Sequence, residues 1–146
     1  MDKEQIIRVA IIDGHDMVRD GICQFLDNFG YATIFEVENG VLALEKIERS
    51  HLIPDVCIVD VAMPVMDGFE LTEILRKKYP DIKIIAFSVN DDEKDILKML
   101  ECGVNGYVLK GADPKELEEA VKVIYNGGRY FSVGVAKIAQ EYFTNN

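Results

Sequence analysis

Apolar positions along the chain switch repeatedly between two periods. Residues 6–12 (IIRVAII) form a short β-branched run that stops at Asp13-Gly14, the mark of a buried strand meeting a loop. Val18, Ile22, Phe25, Leu26 and Phe29 then recur at helical spacing, and Gly30 stands where a helix C-terminal signal belongs. The alternation continues with strands over 32–37, 56–59, 82–87 and 107–109 and helices over 41–47, 69–79, 96–100 and 117–125. Asp67 stands three residues before Glu70, and Asp113-Pro114 three before Glu116; both fit capping boxes, the second with Pro at the first helical position.

Strands that are apolar throughout and alternate with helices imply a parallel sheet covered on both faces and joined by right-handed crossovers. The expected fold is α/β, a flavodoxin-like doubly wound sheet of five strands in the order 2-1-3-4-5. Ligands of such a sheet bind beyond the carboxyl ends of strands one and three, where the chain reverses direction. Val135, Ile138, Ala139 and Tyr142 recur at helical spacing, so one domain over 1–128 is expected, followed by a linker helix and tail over 129–146.

A length of 146 residues suits one domain, and 49% hydrophobic against 29% charged residues is a globular balance. A net charge of −10 repels a phosphate backbone, which argues against direct nucleic-acid binding by this chain. No apolar run approaches the ~18 residues of a membrane span and no cationic-then-apolar leader opens the chain, so a cytoplasmic protein away from the membrane is expected. Cys23, Cys57 and Cys102 are widely spaced without a CxxC, which suggests neither disulfides nor zinc; His15 and His51 lack a sequence partner and read as non-metal residues.

The fold places chemistry at four strand tips. Asp13 ends the first strand and Asp60 the third, so two carboxylates meet at the crevice. Ser88 ends the fourth strand and Lys110 the fifth. Each alone has a plainer reading: a loop cap for either Asp, a strand-end residue for Ser88, a solvated charge for Lys110. Together, two acids can hold a divalent cation while an ammonium and a hydroxyl bind phosphoryl oxygens. The set fits phosphoryl transfer to a carboxylate nucleophile.

Four stretches resemble bacterial two-component response-regulator receiver domains: IIDGHDMVRDGI, PDVCIVDVAMPVMDGFEL, IIAFSV and GYVLKGADPKEL, together spanning about residues 6–128. The resemblance implies a CheY-like fold and phosphoryl transfer from a sensor histidine kinase or phosphotransfer protein to Asp60. It implies Mg²⁺ held by Asp13, Asp60 and the Ala62 backbone carbonyl. Ser88 and Lys110 would contact the phosphoryl group and Tyr107 would be the aromatic switch, in a signalling domain rather than an enzyme. The Asp-Gly-His stretch, the absence of Pro after Lys110 and the GGRYFS segment look most like the subfamily carrying a LuxR-type helix-turn-helix. The chain is then either a stand-alone receiver or the receiver of a transcription factor, with a surface on which a partner or a second copy could dock.

Met63-Pro64 and Asp67-Gly68 shape the loop: Pro64 sets φ and Asp67 caps the third helix. One departure stands out. Where the family has two adjacent acids, this chain has Asp13-Gly14, so weakened Mg²⁺ binding is expected, with Asp16 read as the N-cap of the first helix. Loss of phosphorylation with retention of the fold, a pseudo-receiver module, is the main alternative. A dehalogenase-like phosphatase would need an acid at Ala62, and a flavin protein a Ser/Thr/Gly-rich loop where Gly14-His15-Asp16-Met17 stands.

Overall fold

The computed structural model describes residues 5–111 and 113–145. Its elements run β1 (Arg8–Ile12), α1 (Asp16–Asn28), β2 (Ala32–Val37), α2 (Gly40–Glu48), β3 (Val56–Asp60), α3 (Gly68–Lys78), β4 (Lys83–Ser88), α4 (Glu93–Cys102), β5 (Gly106–Leu109), α5 (Pro114–Tyr125), β6 (Tyr130–Phe131) and α6 (Val133–Asn145). All strand pairs are parallel, in the order β2-β1-β3-β4-β5-β6. The predicted order 2-1-3-4-5 is observed and extended by a sixth strand.

Alternate strand residues feed two cores, as the period of two requires. Val9, Ile11, Val56, Ile58, Ile85 and Phe87 face Ile22 and Leu26 of α1 and Leu117, Val121 and Ile124 of α5. Ala10, Ile12, Cys57, Val59, Ile84 and Ala86 face α2, α3 and α4, and α6 joins that core through Val135 and Ala139. The sheet is therefore covered on both faces, and only its edges and strand tips meet solvent.

β6 corrects the expectation of five strands. It pairs Gly106 with Tyr130 and Tyr107 with Phe131, and the Ser132 amide adds a bond to the Tyr107 carbonyl. Two residues are too few to show strand periodicity, which is why the pattern passed over it. Its position is held from the side: the hydroxyls of Tyr130 and Ser132 both donate to the Glu116 carboxylate, each at 3.1 Å.

That use of Glu116 also corrects the second capping box. Asp113 caps α5 by accepting from the Lys115 amide, while the Glu116 carboxylate turns to β6 rather than back to the cap. Asp67 behaves as expected, accepting from the Glu70 amide at 2.9 Å at the start of α3. No helix among the described residues is long and apolar enough to cross a membrane.

Candidate functional site

β1, β3, β4 and β5 end at one edge of the sheet, and their polar tips converge there. Asp13 follows β1, its amide bonded to the Val37 carbonyl and its own carbonyl held by the Arg19 guanidinium at 2.6 Å. Asp60 is the last residue of β3 and Ser88 the last of β4. Lys110 follows β5, its amide donating to the Ser88 carbonyl. Asp13, Asp60 and Ser88 are almost wholly buried, and the Lys110 side chain is 6% exposed, so these charges meet in a confined space.

Lys110 bridges the two acids. Its Nζ lies 2.7 Å from Asp13 Oδ2 and 3.3 Å from Asp60 Oδ1. The approach to Asp13 Oδ2 is at ion-pair distance but off hydrogen-bond geometry, and Asp60 Oδ2 has no donor among the described residues. Burial is the main cause that raises the Asp60 pKa above the ordinary carboxylate value, and the neighbouring Asp13 charge adds to it. The Lys110 charge and hydrogen bond and the Ala62 amide oppose the rise without cancelling it.

The raised value carries a sign. An acid whose folded pKa exceeds its unfolded one binds more protons when folded, so its ionisation costs stability as pH rises through that window. Replacing Asp60 by Asn is expected to stabilise the fold at pH 7 by about 1–2 kcal/mol, roughly the cost of an unsatisfied buried oxygen. The gain should fade below about pH 4, where the unfolded carboxyl is itself protonated. Thermal denaturation at both pH values checks this; a gain of equal size at each contradicts the electrostatic origin.

Behind the acids lies a second set of polar groups. Ser88 Oγ accepts from the Asn90 amide at 3.0 Å, and the fully buried Tyr107 donates its hydroxyl to the Asn90 carbonyl at 2.7 Å. The Asn90 side chain in turn donates to Asp95 of α4 at 2.6 Å. Asn90 thus ties the tips of β4 and β5 to α4, a role that sequence pattern could not reveal because its partners come from three elements.

The β3–α3 loop closes the pocket. Ala62 and Pro64 are exposed, Asp67 caps α3, and Gly68 donates its amide to the Val61 carbonyl at 2.8 Å. Val65 adopts φ 71°, a left-handed conformation that strains a β-branched residue and that nothing in the sequence signalled.

The largest correction concerns the segment after Asp13. Asp16 is not the N-cap of α1; it is the first helical residue, paired with Arg19 at 2.8 Å and 79% exposed. His15 occupies the cap, because the Asp13 carboxylate accepts its amide at 2.8 Å and turns the chain one residue early. The sequence gives His15 no neighbouring ligand, yet its Nδ1 lies 3.1 Å from Asp13 Oδ1 and 3.7 Å from Asp60 Oδ2. Suitable ligand atoms of Asp13, His15 and Asp60 all lie within 4.8 Å of one another. Two buried carboxylates with an oxygen lacking a donor fit a divalent cation.

Comparison with known proteins identifies the fold that carries these residues. The family model described as response regulator receiver domain matches residues 9–122. The chain is 36% identical over 141 residues to the transcriptional regulatory protein DegU of Brevibacillus brevis, covering 95% of this chain and 59% of that protein. It is 36% identical over 133 residues to the response regulator GacA of Pseudomonas viridiflava, covering 90% and 61% respectively. A crystal structure of a LuxR-family two-component response regulator from Aurantimonas sp. SI85-9A1 matches with a TM-score of 0.85 at 30% identity, covering 95% of this chain and 99% of that one. The chain spans about three fifths of the length of the curated relatives it matches.

Proposed function

The chain belongs to the response regulator receiver domain family, and from that premise we propose that Asp60 accepts a phosphoryl group from the phosphohistidine of a sensor kinase or phosphotransfer protein. The observation that carries this reading is the asymmetry of the Asp60 carboxylate. Oδ1 faces the Lys110 ammonium, which would bind the incoming phosphoryl oxygens, while Oδ2 is buried and, among the described residues, without a donor, which leaves it for a cation. As Oδ1 bonds to phosphorus, the bond from phosphorus to the donor nitrogen breaks and the electron pair leaves with the imidazole.

Lys110 stabilises the charge that arrives. Mg²⁺, held by Asp13, Asp60 and the Ala62 carbonyl, would screen the two acids from each other and from the phosphoryl oxygens. An apolar groove of about 270 Å³ between α1 and α5, lined by Met17, Val18, Phe25, Pro114 and Leu117, opens beside Lys110 and would seat the donor.

The acyl phosphate adds roughly −1.5 to −2 charges. Charge-assisted bonds from Lys110 and Ser88 at about 1.5–3 kcal/mol each supply about 3–6 kcal/mol. Converting a two-state switch from 1:99 to 99:1 takes about 5.5 kcal/mol. Movement of Ser88 toward the phosphoryl group would carry its Oγ away from the Asn90 amide and loosen the residue that anchors Tyr107 and α4. α6 packs on α4, so the change passes to residues 129–146, the connecting segment in this reading.

Incubation with acetyl phosphate and Mg²⁺ followed by intact mass measurement tests the proposal. One phosphoryl group is expected on the native protein and none on Asp60→Asn. An unmodified native mass would leave a phosphorylation-independent interaction module as the reading.

A further inference from the structure

Each acid of the pocket has one oxygen toward Lys110 and one away from it. Asp13 Oδ2 and Asp60 Oδ1 face the ammonium, whereas Asp13 Oδ1 and Asp60 Oδ2 face His15 Nδ1 at 3.1 and 3.7 Å. We propose that His15 is a metal ligand, and that Asp13, Asp60 and His15 select a first-row transition dication of the Co²⁺ and Zn²⁺ class over Mg²⁺. This rests on the reading of the pocket as a phosphoacceptor site and deepens it by naming the ion.

Three observations support the assignment. The first is spacing: ligand atoms adjacent on an ion with bonds of about 2.1 Å sit about 3 Å apart, and 3.1 and 3.7 Å need only a small adjustment. The second is the buried Asp60 Oδ2, which lacks a donor among the described residues and has His15 Nδ1 3.7 Å in front of it. The third is the identity of the donors. Position 14 holds no carboxylate, so the oxygen ligands available to a hard cation are reduced, and an imidazole stands beside those that remain. Magnesium takes oxygen ligands and dehydrates reluctantly, whereas imidazole nitrogen suits the later first-row dications.

The surroundings permit it. The His15 side chain is 64% exposed, so the outer positions of a bound ion would face solvent and stay open to phosphoryl oxygens. The Lys110 ammonium also lies 3.3 Å from His15 Nδ1, but it keeps an oxygen of each acid as partner when that lone pair turns to a metal. A Cβ on Gly14 would meet nothing closer than 3.6 Å, so an acid fits there sterically, and its absence leaves the imidazole as the third side-chain donor.

Calorimetric titration of the whole chain with Co²⁺ and with Mg²⁺ tests the proposal. The native protein should prefer Co²⁺ by roughly tenfold or more, the scale on which one ligand matters. His15→Ala, at an exposed cap that makes no side-chain bond to the helix, should lose that preference and keep its Mg²⁺ affinity. Gly14→Asp should recover Mg²⁺. Co²⁺-loaded native protein should show paramagnetically shifted imidazole resonances that vanish in His15→Ala, a variant that retains all three cysteines and His51. Equal effects of His15→Ala on both ions, or the absence of shifted imidazole signals, would overturn it. Phosphoryl uptake is read separately: uptake with unchanged selectivity sinks only the role of His15, and His15-dependent Co²⁺ binding without uptake sinks only the phosphoacceptor reading.

Discussion

Replacing Lys110 by Met should cost about 3–5 kcal/mol of stability at pH 7, the range for removing one partner of a buried ion pair. Met keeps the apolar stem and removes the ammonium, including its position 5.6 Å from the Phe87 ring centroid, so the loss isolates the charge. Without the ammonium, Asp13 and Asp60 face each other across a pocket in which both are almost wholly buried. The two Lys110 contributions that hold the Asp60 pKa down are lost, the Ala62 amide, burial and the Asp13 charge remain, and the carboxyl moves further up. Its stability cost therefore grows with pH above the unfolded carboxylate value and is absent below it. Urea denaturation at pH 7 and pH 4 should show a penalty that largely disappears on acidification. The Asp60→Asn background offers the sharper check, because one fewer acid then needs the cation and the penalty should shrink. An equal penalty in both backgrounds would mean that Lys110 acts through packing rather than charge.

The strand tips were legible because an apolar β-branched run that ends in Asp, Ser or Lys violates its own pattern at a topologically defined edge. Asp13, Asp60, Ser88 and Lys110 needed only the strand order to be placed together. His15 was not legible for the opposite reason. Cap preferences favoured Asp16, but the Asp13 carboxylate takes the His15 amide and starts α1 on the following residue, a competition between two acids that residue types alone do not resolve. The tie made by Asn90 stayed hidden because its partners Ser88, Asp95 and Tyr107 belong to three elements, and β6 because its pairing partners lie far back along the chain. Ser132 takes part in the β5–β6 ladder and meets Glu116, and neither contact leaves a periodic trace.

Gly68→Ala should destabilise the fold by about 3 kcal/mol or more, the upper part of the range for forcing atoms into a filled space. Intrinsic helix propensity predicts the reverse, a gain near 1 kcal/mol at the first residue of α3. Packing decides the sign. A Cβ at this position would lie 2.5 Å from the Asp60 carbonyl oxygen and 2.8 Å from Val61 Cα, and both are backbone atoms that cannot swing aside. α3 would have to lift from the end of β3, stretching the Gly68 amide bond to the Val61 carbonyl and moving the acceptor residue itself. Phosphoryl uptake should therefore fall together with stability, and the Asp60 and Val61 amide resonances should shift. Gly21→Ala in α1 supplies the control: a Cβ there meets nothing within 4 Å, so the same exchange should stabilise by about 0.5–1 kcal/mol. If both variants shifted the urea midpoint in the same direction, the close approach of α3 to the acceptor strand would not be what requires glycine at position 68.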